Sequence, residues 1–307
     1  MHNRYDIVLN FDFISVTTPN QAFTDFNHVV LSKKAAIVAK DPDNDKIRIQ
    51  VADVVVLPSL NLLVADWGND SLKVVNSETG HLMSRAQLPG TPCRLCLLSG
   101  DRAAVTLNDR RIQLSNVSSD MLNLQRIVHV EGECRGLAFL NDNFVVGFTM
   151  PGKLAILDVE GREHKSISSR KNGTPLFEYP DYICVASDKY PPTIYVTDWV
   201  TETITRLNEN LEVMQTFKFP PKYGPFGLAI AGGEQLLVRG GDSEYSTLWL
   251  LDTTSGEFKE LVQEKKHLKG VSGYVLACVD YCPRLGHVYC GFRRGKDDEC
   301  IQVYQIS

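Results

Sequence analysis

The sequence predicts an all-β fold: a six-bladed β-propeller of four-stranded antiparallel blades, the last blade closed by an N-terminal strand. Three observations predict it. A short apolar strand recurs six times at nearly constant spacing. Each recurrence is followed by a turn and two further apolar strands. The sixth repeat reaches Ser307 without a fourth strand of its own, so an earlier segment must supply one.

The recurring first strands are read at residues 53–57, 94–98, 136–139, 182–185, 227–230 and 276–279. Their starts lie 41, 42, 46, 45 and 49 residues apart, the length of one four-stranded blade. Second strands follow at 62–66, 103–107, 144–148, 194–198, 235–239 and 287–291. Third strands follow at 72–76, 112–117, 154–158, 204–208, 248–252 and 301–306. Fourth strands such as 82–88, 124–130 and 213–219 are more polar. That gradient fits inner strands buried between neighbours and an outer strand facing water. Turn residues at 77–80, 160–161 and 254–256 separate third from fourth strands.

These readings give one propeller over 1–307, with blades at about 50–90, 91–132, 133–176, 178–222, 223–268 and 270–307 and a closing strand from within 5–40. Two segments are candidates for the closing strand, 35–39 and 7–16. Either would leave no open edge in the ring. A seventh blade from 5–50 is the alternative.

Composition narrows the function. The chain is 43% hydrophobic and 22% charged, which is globular rather than disordered. Its net charge of −5 lacks the basic excess of a nucleic-acid binder and argues against DNA. The first six residues carry no basic segment leading into an apolar run, so a cytoplasmic protein is expected. The most apolar stretch, 51–67, is interrupted by Asp53, Pro58, Asn61 and Asp66 and does not read as a membrane span.

The eight cysteines read as free thiols in a reducing compartment. Cys93 and Cys96 have CxxC spacing, but three positions apart on a strand they face opposite ways. Cys278, Cys282, Cys290 and Cys300 fall in the last repeat and read as small core residues. No metal or cofactor is expected.

The run 62–74, with Val64-Ala65-Asp66 and Asn69 before Leu72-Lys73-Val74, resembles an NHL repeat core. Residues 193–199 resemble its first half and 203–205 its second, while 224–230 resemble a repeat start. Thr106, Phe148 and Arg239 stand where the Asp is expected in other repeats. The array as a whole is similar to the C-terminal propellers of tripartite-motif (TRIM-NHL) proteins. That resemblance implies a recognition platform for protein or RNA, with ubiquitin transfer performed by a separate RING domain. The sequence contains no RING, so no enzymatic activity is expected of this chain.

In a propeller one face carries the starts of the first strands and the turns between second and third strands. The partner-binding residues expected there are Trp67, Asn69, Arg94, Arg110, Arg135, Tyr182, Trp199, Phe226, Tyr245 and Arg293. Aromatic side chains and arginines suit a protein-binding surface because they combine large area with directional polar groups. Each has a plainer reading. Trp67 and Trp199 fit equally as spacers between blades, and Asp66 and Asp198 as acceptors for turn amides. Arg94 and Arg135 read as lining the central funnel or as ion-paired. The basic run at 293–296 is offset by the acidic run at 297–299.

A protein partner is the leading expectation, for a domain expected to be monomeric. RNA, held by funnel arginines and stacked on aromatics, is the second. A calcium-dependent lactonase-like hydrolase is a third, but it needs a cluster of axial oxygen ligands that Arg94 and Arg135 would oppose.

Overall fold

In four of the blades the third strand ends in, or is followed at once by, an Asn or Asp whose side chain builds the next turn. Asn76 accepts from the amides of Glu78 and Thr79, and Asp158 from those of Glu160 and Arg162. Asn208 accepts from Asn210 and Glu212, and Asp252 from Thr254 and Ser255. Gly80 at φ +73° and Gly256 at φ +78° complete two of these turns in a conformation that favours glycine. Local chemistry thus turns the chain back once per blade.

The result, in a computed structural model, is six four-stranded antiparallel sheets. The structure describes residues 26–118, 121–187, 191–221, 223–241, 245–265, 277–292 and 300–307. Blade one is Val51–Val56, Leu62–Asp66, Ser71–Val75 and Leu82–Gln87. Blade two is Pro92–Leu97, Arg102–Leu107, Arg111–Ser118 and Met121–His129. Blade three is Cys134–Leu140, Asn143–Thr149, Gly152–Leu157 and Glu163–Ile167. Blade four is Pro180–Ala186, Thr193–Asp198, Thr203–Asn208 and Val213–Lys218. Blade five is Gly224–Gly232, Gln235–Gly241, Tyr245–Asp252 and Phe258–Lys265.

Blade six joins both ends of the fold. Its inner strands are Ala277–Cys282, His287–Phe292 and Ile301–Ile306, and its outer strand is Leu31–Ile37. Leu31 pairs with Ile306 and Ile37 with Ile301. The amides of Val30 and Ser307 extend the pairing with mutual bonds of 3.0 and 3.1 Å. The closing strand therefore overlaps the expected 35–39 and begins four residues earlier. The rival segment 7–16 lies outside the described residues. A seventh blade is ruled out, because the strand it would need is already spent on blade six and 38–50 contains no strand.

Burial follows the expected gradient. Every residue of Leu62–Asp66 and Ser71–Val75 is buried, whereas Glu163–Ile167 on the outside of blade three is almost wholly exposed. The core is a ring of apolar layers between adjacent blades. Leu63, Leu72, Leu95 and Val105 fill the seam of blades one and two, and Leu154, Ile183, Ile194 and Val196 that of blades three and four. No helix among the described residues is long and apolar enough to cross a membrane.

Candidate interaction face

The face on which the first strands begin, called here the upper face, is organised by two carboxylates. Asp198 ends the second strand of blade four and is fully buried. One of its oxygens accepts from the amides of Glu178 and Tyr179 at 2.7 and 2.8 Å. The other accepts from Val200 and Thr201, both at 3.1 Å. Asp198 so fixes both the approach to the first strand and the turn that carries Trp199. Asp66 does the same in blade one, accepting from the amides of Gln50 and Gly68, both at 3.1 Å. Both act as turn acceptors, as one sequence reading had it.

The side chains held by Asp198 form an aromatic ledge. Trp199 lies edge-on to Tyr179 with centroids 5.5 Å apart, and 6.3 Å from Phe226 of blade five. The Arg135 guanidinium sits 5.6 Å from the centre of the Tyr179 ring. Tyr179, Trp199 and Arg135 are half-buried, while Phe226 is 2% exposed and serves as the base beneath them. Val200 and Met150, in the corresponding turns of blades four and three, are 41% and 70% exposed. Sequence reasoning missed Tyr179, Met150 and Val200. Met150 and Val200 precede or follow strands as isolated apolar turn residues, and that was the available signal.

The other expected residues separate into surface and interior. Arg110 is exposed in its turn, and Trp67 and Tyr245 are half-buried. Asn69 is interior: its oxygen accepts from the amides of Lys46 and Ile47 at 3.0 and 3.1 Å, and its nitrogen donates to Asp66 at 2.8 Å. Its side chain is committed to pinning the loop before blade one. Arg94 and Tyr182, at 1% and 4% exposure, are interior as well. Arg293 lies outside the described residues.

Arg94 lies at the axis and spans three blades. It pairs with Asp181 of blade four at 2.5 Å and donates to the carbonyl of Ala52 in blade one at 2.9 Å. Its guanidinium stacks 3.9 Å from the centre of the Tyr182 ring. The ion pair, the hydrogen bonds and the ring offset the cost of desolvating this cation. The Tyr182 hydroxyl reaches Asp53 at 3.2 Å, and Asp53 also accepts from the amides of Val54 and Leu95. Asp280 of blade six accepts from Val56 of blade one at 2.7 Å. The carboxylates therefore lace the innermost strands together.

These groups line an axial channel of about 260 Å³. Burial pushes the Asp53 carboxyl up to about 7, against the pull of Arg94. Burial likewise pushes Asp280 up to about 6. The eight cysteines are free thiols, and burial raises those of Cys96, Cys184 and Cys278 above the ordinary thiol range. A thiol so raised is a poor nucleophile. Among the described residues no three His, Cys, Asp or Glu side chains are grouped to hold a metal ion.

No protein-family model matches the chain, and a search of curated proteins finds no match. Among solved structures, the β-propeller domain of Cps50 (Swd1) from Myceliophteria thermophila matches over 84% of each chain, with a TM-score of 0.56 and 10% identity. The likeness is one of fold. At that identity it establishes the propeller and leaves the repeat family to the sequence resemblance alone.

Proposed function

We propose that the chain is a non-catalytic recognition module that binds a protein partner on its upper face. The observation that carries this reading is the ledge of Tyr179, Trp199 and Arg135, set by Asp198 and flanked by exposed Val200 and Met150. Half-buried aromatic rings locked by backbone bonds lose little freedom on binding, which suits a hot spot. The NHL resemblance extends the proposal to the substrate-recognition part of a TRIM-type ubiquitin ligase, with a RING supplied by another domain.

The axial groups support a structural over a catalytic use. Asp53 and Asp280 already accept backbone amides, and Arg94 stands beside Asp53. A calcium ion would have to displace those bonds and face that cation.

The test is affinity capture with the wild type, a Met150→Asp/Val200→Asp variant and a Ser99→Lys control on the opposite face. All three substitutions are at exposed turns, so the fold should survive. The reading expects the first variant to lose proteins that the control retains. Equal capture by all three would overturn it, and recovery of RNA in place of protein would favour the nucleic-acid reading.

A further inference from the structure

The outer wall of the ring is closed at one seam and open at another. Between blades one and two the outer strands meet, with the Leu122 amide donating to the Ser84 hydroxyl at 3.0 Å. Between blades three and four they stand apart. After the outer strand Glu163–Ile167, residues 168–176 fold into a small hairpin before blade four begins. The Arg170 amide donates to the Thr174 carbonyl at 2.8 Å, and Leu176 donates back to Ser168 at 2.8 Å. Buried Leu176 and Phe177 anchor the hairpin against the core of this seam.

The gap between this hairpin and the turn of blade four is a groove of about 770 Å³. One wall carries Lys165, Arg170 and Lys171, all exposed and, among the described residues, none in an ion pair. The facing carboxylate, Glu212, is engaged by the Asn208 amide group at 2.7 Å. Ile167 and Val213 supply apolar surface. The outer strand pairs on one side only, with Gly152–Leu157, so its other edge has backbone donors and acceptors to offer.

We propose that this groove docks an extended acidic segment of a protein partner, added as a further strand to blade three. An unpaired edge gives main-chain bonds, and alternate side chains of an added strand reach one wall. Three unpaired cations against one occupied carboxylate select a negative segment and make its capture dependent on salt. Among the described residues no aromatic side chain lines the groove, so it lacks the stacking platform that single-stranded RNA requires. The site lies on the outer wall and is separate from the ledge on the upper face.

Fluorescence anisotropy with the full chain tests it. The probes are a labelled eight-residue peptide alternating Glu and Val, the same peptide N-methylated at alternate residues, its Lys–Val counterpart, and an eight-nucleotide oligouridylate. The acidic peptide should bind at low salt and weaken at least tenfold in the Lys165→Glu/Lys171→Glu variant. It should also weaken on N-methylation and keep its affinity in the Met150→Asp/Val200→Asp variant. The variant's melting temperature should match the wild type, because both replaced side chains are exposed and unpaired. Absence of acidic-peptide binding at low salt, equal binding by the charge-reversed variant, or preferential binding of the oligouridylate would each overturn the proposal.

Discussion

Asp66 in blade one and Arg239 in blade five are each the fifth residue of a second strand and both are fully buried, but they lie one register position apart. Asp66 pairs with Val51, ahead of the bulge in its first strand, and Arg239 with Gly227, beyond the equivalent bulge, so Gly240 and not Arg239 matches Asp66 and Asp198. Their surroundings are opposite. Asp66 accepts two amides and the Asn69 side chain, and pairs with the buried ammonium of Lys73 at 2.8 Å. Lys73 is held in turn by Asp45 at 2.7 Å. Among the described residues Arg239 has no hydrogen-bond acceptor at any of its three guanidinium nitrogens, and it rests 4.6 Å from the centre of the Phe292 ring. The Asp66 carboxylate, at the strand end, collects the N–H groups of the adjoining turn; the Arg239 guanidinium, one position earlier, has only donors and cannot. The comparison shows that buried charges at neighbouring register positions can be satisfied in one blade and left without acceptors among the described residues in another.

The largest effect is expected at the satisfied site. Asp66→Ala would leave Lys73 with one counter-charge and free two turn amides, costing about 3–5 kcal/mol, the range for breaking a buried pair. Urea denaturation measures it; a loss under about 1 kcal/mol would mean that Asp45 alone satisfies Lys73. At the unsatisfied site the sign reverses. Arg239→Met replaces a desolvated charge with an apolar chain of similar length and should raise stability by about 1–3 kcal/mol. A decrease instead would reveal an anionic partner that the described residues do not supply.

A third effect, spread over pH rather than set by one substitution, separates the axial carboxylates from those of the upper face. Asp53 titrates at about 7 and Asp280 at about 6 in the folded chain, against about 3.9 when unfolded. The folded state thus binds more protons than the unfolded state between pH 4 and 7. The stabilisation from these two groups is complete below about pH 4 and is lost as pH rises through about 7. Each contributes a downward slope of at most about 1.4 kcal/mol per pH unit. Asp53→Asn should flatten the upper part of that slope. Stability that instead rises steadily from pH 4 to 7 in the wild type would contradict the raised values.

The strand order was legible because each blade repeats the same apolar periods within one stretch of sequence. The roles of Asp66 and Asp198 were legible for the same reason: a turn acceptor acts on amides a few residues away. Asp198 reaches Val200 and Thr201, two and three positions on. Arg94 illustrates what was not legible. From sequence it reads as lining the funnel, solvated or ion-paired; it is ion-paired, but its counter-charge, Asp181, lies 87 positions away and meets it only when the ring has formed. Lys73 and Asp45 are 28 positions apart and were overlooked for the same reason. The groove escaped notice because 168–176 carries no periodicity; its wall exists only where two blades diverge.

The way the ring shuts also sets the order in which the protein can finish folding. The Cys300 thiol and the Ile37 carbonyl that it bonds are 263 positions apart. On a ribosome, blades one to five can form as they emerge, while Leu31–Ile37 waits for Ile301–Ile306 to be synthesised. Contacts of such separation are the slowest a chain makes. A nascent chain halted before its last strand would therefore carry two unsatisfied sheet edges at once, one on each side of the break.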